Sequence, residues 1–363
     1  MSATKSPIVD IHTHVYPPSY IELLRSRSSI PYIRSFPPST DLRLVILPAE
    51  DTESTSRGRP VGAEYYDINE KIKFMDTHSI DISVISLANP WLDWVPQDEA
   101  AKAAQQINDE VNSECEKFPG RLFAFGTLPL SGGAAAIAQE IKRLKGLRYM
   151  RGVILGTTGL GKGLDDPELV PVFQALHDVQ MPVFLHPHYG LPGSVWGERA
   201  GEYGHVLPLA LGFPLETTIA VTRMILSGVF ERVPGLQMIL AHSGGTLPFL
   251  AGRIESCIEH DAHLKAEGKL GKGRKTVWDV LKKNIYLDAV VYSEVGLEAA
   301  IQASGEDRVM FGTDHPFFPP LEEEDSKWAS VETNYIAIKG ALGAGDEAKG
   351  ALGGNAIRVL NLA

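Results

Sequence analysis

Cysteine is scarce in this chain: there are 2 in 363 residues, Cys115 and Cys257. Two thiols in so long a chain make no disulfide framework, so both are expected to be buried in helices, in a reducing, cytoplasmic compartment. Long apolar runs are missing too. None approaches the roughly 20 residues that span a bilayer, so no membrane partner is expected. Met1 to Pro7 is short and polar and leads at once into a strand, so no secretory leader is expected. Positive charge is in deficit, with 34 Lys and Arg against 45 Asp and Glu, a net charge of −11 and a pI near 5.5. That sign excludes a nucleic-acid partner, which needs a basic face. With 44% hydrophobic and 22% charged residues, there is material for a large core and no bias toward disorder.

What is present is a recurring unit. Eight short apolar runs, Ile8 to His12, Ile82 to Ala88, Leu122 to Leu128, Gly152 to Leu155, Pro182 to His186, Gln237 to His242, Ile285 to Ala289 and Arg308 to Thr313, alternate with stretches of helical periodicity. Runs of Val, Ile, Leu and Phe without polar alternation are those of strands buried on both faces. Eight such strands, each followed by a helix, predict an α/β fold, a distorted (β/α)8 TIM barrel in a single domain spanning 1–363. Helices are expected over Glu99 to Phe118 and Ala134 to Leu144, and Asp166-Pro167 reads as an N-cap with proline at the first helical position. One interval, Val15 to about Asn69 (15–69), is too long for a simple connection and rich in proline. It follows the first strand, so it is expected to hang over the C-terminal rim of the barrel and contribute to a substrate pocket. The acidic run within Leu321 to Trp328 reads as a solvated loop.

The last residues of the expected strands carry the chemistry. They are His12 and His14 from the first, Asn89 from the second, His186 and His188 from the fifth, His242 from the sixth and Asp314 from the eighth. A lone histidine at a strand end is ordinary; several at one rim are not, because only the C-terminal rim of a barrel gathers the ends of different strands. His12, His14, His186 and Asp314 form an N3O set suited to one Zn2+ ion, with Mn2+ or Fe2+ as alternatives. His188 shares a strand face with His186, but Pro187 and Tyr189-Gly190 turn the chain away there, so it is assigned to the substrate or to support of the ligands. His242 stands in Ala241-His242-Ser243-Gly244-Gly245, where glycines are expected to let a ligand approach the backbone, and is cast as a substrate-orienting or acid/base group. Of the other histidines only His205 is expected within reach of the pocket.

These segments resemble a known family. Asp10-Ile11-His12-Thr13-His14, the strand ending in His186, Ala241-His242-Ser243-Gly244-Gly245 and Phe311-Gly312-Thr313-Asp314-His315-Pro316 are similar to the decarboxylase branch of the amidohydrolase superfamily. Within it, Ser86 to Trp91, Gly156 to Gly163 and His186 to Pro192 look most like the fungal iso-orotate (uracil-5-carboxylate) decarboxylases. The resemblance covers about Pro7 to Leu360. It implies metal ligation by His12, His14, His186 and Asp314, substrate contacts from Arg59, Asn89, His242 and Phe317, and a homodimer. Side-chain chemistry agrees with these roles: a guanidinium can fork onto a carboxylate, an amide offers a donor and an acceptor to a pyrimidine edge, and a phenyl ring can wall a planar ring.

Arg151-Gly152-Val153-Ile154-Leu155-Gly156 ends without the lysine that binuclear members of the superfamily carbamylate, so a single metal is expected. The expected reaction is non-oxidative loss of CO2 from a carboxylated planar ring. The ring carbon is protonated by Asp314 with help from His242, and no organic cofactor is used. A metal-dependent hydrolase of a lactone or amide, and a decarboxylase of a salicylate- or resorcylate-type acid, are the alternatives.

Overall fold

The structure is a computed structural model that describes residues 6–53, 57–320 and 327–362. In chain order its strands are β1 (Val9–Val15), β2 (Tyr32–Arg34), β3 (Arg43–Val45), β4 (Arg59–Pro60), β5 (Ile82–Leu87), β6 (Leu122–Thr127), β7 (Met150–Gly156), β8 (Val183–His186), β9 (Met238–Leu240), β10 (Ile285–Asp288) and β11 (Val309–Met310). The eight expected runs become β1 and β5 to β11, hydrogen-bonded in sequence order into one parallel sheet. Its edges meet: Ile11 N–H donates to Phe311 O, Thr313 N–H and Asp314 N–H to His12 O, and His14 N–H to His315 O. The fold is a (β/α)8 barrel whose closing seam joins β1 to β11.

The expected run Arg308 to Thr313 forms a strand only over Val309–Met310. Beyond it Phe311 N–H donates to Ala351 O (2.8 Å), the chain holds β1 through the single seam bonds just named, and at Asp314 the backbone turns left-handed (φ +59°). A bulge adds one residue to β1 between Asp10 and Thr13. It re-aims the strand where the two histidines begin.

The outer helices follow from apolar spacing. Gln97–Glu116 buries Ala100, Ala104, Ile107, Asn108, Val111 and Cys115 along one stripe, with Asp98 and Glu99 in its first turn. Gly133–Leu144 buries Ile137, Ile141 and Leu144. Asp166 does cap as expected, its side chain accepting from Glu168 N–H, but Pro167–Leu169 is a 3-10 turn and the α-helix starts at Val170. Both cysteines lie in helices, Cys115 buried and Cys257 exposed, so the expectation of two buried thiols holds for the first alone. Cys257 is on the outer face of Leu247–His260, whose buried residues are Leu247, Pro248, Ala251, Glu255 and Ile258.

Pro208–Leu226 is long and apolar enough by composition to cross a bilayer, 19 residues at mean hydropathy 1.4, which corrects the expectation that no run comes near that length. It is an outer helix of the barrel, turning Thr217, Ala220, Val221 and Met224 inward and carrying Glu216 and Arg223. The stretch 15–69 holds the helix Pro18–Arg25 and a small antiparallel sheet, β2-β3-β4. The acidic run 322–325 lies outside the described residues.

Candidate metal centre and substrate pocket

His12 and His14 leave β1 into the barrel mouth, His186 ends β8, His242 follows β9 and Asp314 follows β11. Their rings converge: centroids are 5.0 Å apart for His12–His14 and His14–His186, and 5.1 Å for His12–His186, His12–His242 and His186–His242. One ligand atom from each of His12, His14, His186 and Asp314 lies within 4.8 Å of all the others, and all four residues are buried.

The outer nitrogen of each ring is tied to the protein, which turns the other toward the shared space. His12 Nδ1 is held by Asp288 Oδ2 at 2.5 Å, His14 Nδ1 lies 3.1 Å from Ser86 Oγ, and His186 Nδ1 donates to Pro187 O at 2.7 Å. In each case Nε2 is the atom turned inward. His186 Nε2 is buried without a hydrogen-bond partner, and Asp314 Oδ1 lies 3.2 Å from His12 Nε2 and 3.4 Å from His14 Nε2 without an aligned hydrogen bond to either. His12 Nε2 and His14 Nε2 face each other at 3.1 Å. Two nitrogens bound tetrahedrally at about 2.0–2.1 Å from one ion would stand roughly 3.4 Å apart. The quartet therefore fits a single small divalent ion.

Asp288 organises this centre. Besides His12 it accepts from the backbone N–H groups of His242 (3.0 Å), Ser243 (2.7 Å) and Val290 (3.1 Å). It thus fixes the tautomer of a candidate ligand and the left-handed turn at His242 and Ser243 (φ +54° and +51°) with one carboxylate. Strand-end reading missed it, although it closes the seventh expected strand and the same rule would have found it. The glycines after His242 serve packing and not ligand access: a Cβ on Gly245 would stand 2.1 Å from Pro214 O, and one on Gly244 2.9 Å from Leu287.

Charge is unevenly shared in this pocket. Burial alone would lower His12, but Asp314 and Asp288 outweigh it and bring its pKa up to about 10. Burial pushes His14 down to about 4 and His186 well below the usual histidine value. Burial alone would raise Asp314; the charge of His12 and the neighbouring imidazoles outweigh it and hold the carboxyl well below its usual range. His242 is the most open of the rings, with its side chain 15% exposed and Nε2 3.5 Å from Asp314 Oδ2.

Beside the centre, Arg59 reaches in from β4. Its Nη1 donates to Asn89 Oδ1 (3.3 Å), and its guanidinium lies 5.6 Å over the Phe317 ring, which meets His14 edge-on at 5.6 Å. Asn89 Nδ2 donates to His188 O (2.7 Å), so each half of the amide keeps one hydrogen-bonding valence. His188 is not among the converging rings. It is buried against Trp91 (4.7 Å) and Tyr189 (3.8 Å), with Nδ1 2.9 Å from Thr158 Oγ1, and burial lowers it to about 3. Glu216 pins the turn after His186 by accepting from Thr157 Oγ1 and from His188 and Gly190 N–H. His205 is exposed.

Comparison with known proteins agrees with this arrangement. Residues 9–362 match the family model described as amidohydrolase. The IDCase of Metarhizium anisopliae, a fungal isoorotate decarboxylase, is 58% identical and superposes with a TM-score of 0.96 over 100% of this chain and 99% of that one. A 2-amino-3-carboxymuconate-6-semialdehyde decarboxylase of Dictyostelium discoideum is 31% identical over 266 residues, 73% of this chain and 70% of its own. A 5-carboxyvanillate decarboxylase of Novosphingobium aromaticivorans, solved with manganese, shares the fold at 22% identity, with a TM-score of 0.76 over 99% of this chain and 97% of that one.

Proposed function

Because this chain belongs to the amidohydrolase family and is one of its decarboxylases, we propose that it removes the carboxylate of uracil-5-carboxylate, giving uracil and CO2. The observation that carries the reading is the group set beside the ligand quartet: Arg59, hydrogen-bonded to Asn89 and standing over the ring of Phe317, which itself meets His14. The 58% identity to the Metarhizium anisopliae isoorotate decarboxylase supports a pyrimidine as the ring.

His12, His14, His186 and Asp314 would hold one divalent ion, Zn2+ or Mn2+, whose chemistry when bound is that of a Lewis acid clamping a carboxylate and an adjacent oxo group. Arg59 would fork onto the ring's polar edge, and the free valences of Asn89 would take an adjoining donor and acceptor. Phe317 would hold the ring flat. Direct loss of CO2 would leave a bare carbanion on the ring. A proton placed first on C5 makes that carbon tetrahedral, and the C–C electrons then return to the ring as CO2 departs.

Asp314 is the proton donor in this reading. The field that keeps its pKa low makes its acid form strong but scarce, so the carboxylate must be protonated in place. His242 Nε2, 3.5 Å from Asp314 Oδ2, is the side chain set to do so and to orient the ring. His188 would act from behind, through the carbonyl that fixes Asn89. The stretch 15–69 would serve as the pocket's cover, since it carries Arg59.

Incubating the metal-loaded enzyme with uracil-5-carboxylate and following uracil and CO2 tests the reading, with 2,6-dihydroxybenzoate and a lactone in parallel. Turnover of dihydroxybenzoate alone would replace the pyrimidine with a phenolic acid, and hydrolysis of the lactone alone would replace decarboxylation.

A further inference from the structure

Lys71 is fully buried, at 0% exposure, and no step above uses it. It stands on the helix Ile68–Thr77, whose N-cap is Asp67 and whose inward face is Lys71, Phe74 and Met75. Its Nζ donates to Thr13 Oγ1 at 2.5 Å and to His315 Nδ1. Thr13 Oγ1 in turn donates to His315 O at 3.1 Å. The His315 ring is gripped between Phe74, stacked at 3.7 Å, and Trp328 at 4.5 Å.

The two residues held by this ammonium have a particular address. Thr13 lies between His12 and His14, and His315 follows Asp314. From the same seam Asp10 accepts from His12 N–H (3.1 Å), Thr313 N–H (3.1 Å) and Thr313 Oγ1 (2.7 Å), and Thr313 Oγ1 accepts from His315 N–H at 3.2 Å. A polar chain thus runs from Lys71 to Asp10 across the seam between the segments bearing three of the four candidate ligands. Desolvating an ammonium is costly, and an apolar side chain of the same length would fill the space without that cost. What the ammonium adds is direction: it fixes both segments one residue away from the ligands they carry.

We propose that Lys71 is a positioning residue that staples the His12-Thr13-His14 segment to the Asp314-His315 segment from behind and so sets the spacing of the metal ligands. This rests on the reading of the quartet as a metal centre. Nothing in it requires Lys71 to touch the substrate.

The test compares the full chain with Lys71→Met and Thr13→Val, each loaded with Co2+ for its visible spectrum and titrated with Mn2+ against a chelator. Groups that orient metal ligands typically change affinity by about 10–100-fold when removed. Lys71→Met is expected to keep the wild-type circular dichroism, shift the Co2+ bands, weaken Mn2+ binding by about tenfold or more, and lower kcat while leaving KM near its original value. If Lys71→Met does not fold, Thr13→Val carries the test, because it keeps the volume and removes the oxygen that Lys71 and His315 share. A folded variant whose Co2+ spectrum and Mn2+ affinity match wild type overturns the role of Lys71. A wild type that takes up neither ion overturns the metal reading itself.

Discussion

Asp288 Oδ2 accepts from His12 Nδ1 at 2.5 Å, with both side chains wholly buried, while the same carboxylate caps the turn that presents His242. One group therefore orients a candidate metal ligand and a candidate proton carrier. Asp288→Asn keeps the volume but turns an amide N–H toward donors, so it is expected to weaken Mn2+ binding by about 10–100-fold and to lower kcat as well. Chelator competition with parallel kinetics checks this. Unchanged affinity would reduce Asp288 to a packing role.

Asp314→Asn is expected to abolish turnover and leave the fold intact, since the side chain stays the same size. Assays at saturating Mn2+ separate lost metal from lost acid. Substantial activity under those conditions would take the proton-donor role from Asp314.

Arg59 contacts only Asn89 and Phe317 among the polar and aromatic contacts described, so Arg59→Ala should act on binding. A hydrogen bond to a charged group contributes roughly 1.5–3 kcal/mol, which corresponds to a rise in KM of about tenfold or more, with kcat much less affected. An unchanged KM would place β4 outside the pocket.

Removing the metal should act on activity and stability together. Prolonged dialysis against a chelator is expected to silence the enzyme and Mn2+ or Zn2+ to restore it. A ligand at 100 times its Kd stabilises the folded state by about 2.7 kcal/mol, so thermal midpoints should rise with added ion. Full activity in metal-stripped protein would sink the centre.

His78 Nε2 accepts from Trp328 N–H at 3.2 Å, and burial lowers its pKa below 6.5 although Glu332 opposes the shift. Above pH 6.5 both folded and unfolded chains hold it neutral, and it adds no pH dependence. Below that value the unfolded chain takes the proton first, so stability is lost as pH falls toward the folded pKa, by at most about 1.4 kcal/mol per pH unit. His14, His186, His188 and His315 are shifted in the same sense and His12 in the opposite one, so the observable is a difference: denaturant stability of wild type minus His78→Gln, at pH 7.5, 6 and 5. Parallel curves would show that His78 titrates alike in both states.

The barrel was legible because strands such as Ile82–Leu87 and Leu122–Thr127 are buried along their length and need no polar alternation. His12, His14, His186, His242 and Asp314 were legible because barrel topology turns strand ends into neighbours. Asp288 also ends β10, but its partners, the ring of His12 and the turn at His242 and Ser243, come from two other strands and are set only by the closed barrel. Lys71 was marked only by sharing a helix row with Phe74 and Met75, and its partners depend on how that helix meets the seam. The strands β2, β3 and β4 run three, three and two residues, too short to show a period.

The seam between β1 and β11 joins residues about three hundred positions apart, as between Thr313 and Asp10. A chain still being synthesised carries His12, His14 and His186 long before Asp314 exists. The barrel can gather its early strands in that interval, yet Asp314, the candidate oxygen ligand and proposed proton donor, arrives with the last strand. On the proposed ligand set, cation capture would be a late event in biogenesis, and a ribosome-held fragment stopped short of Asp314 is expected to release metal to a chelator that the finished enzyme resists.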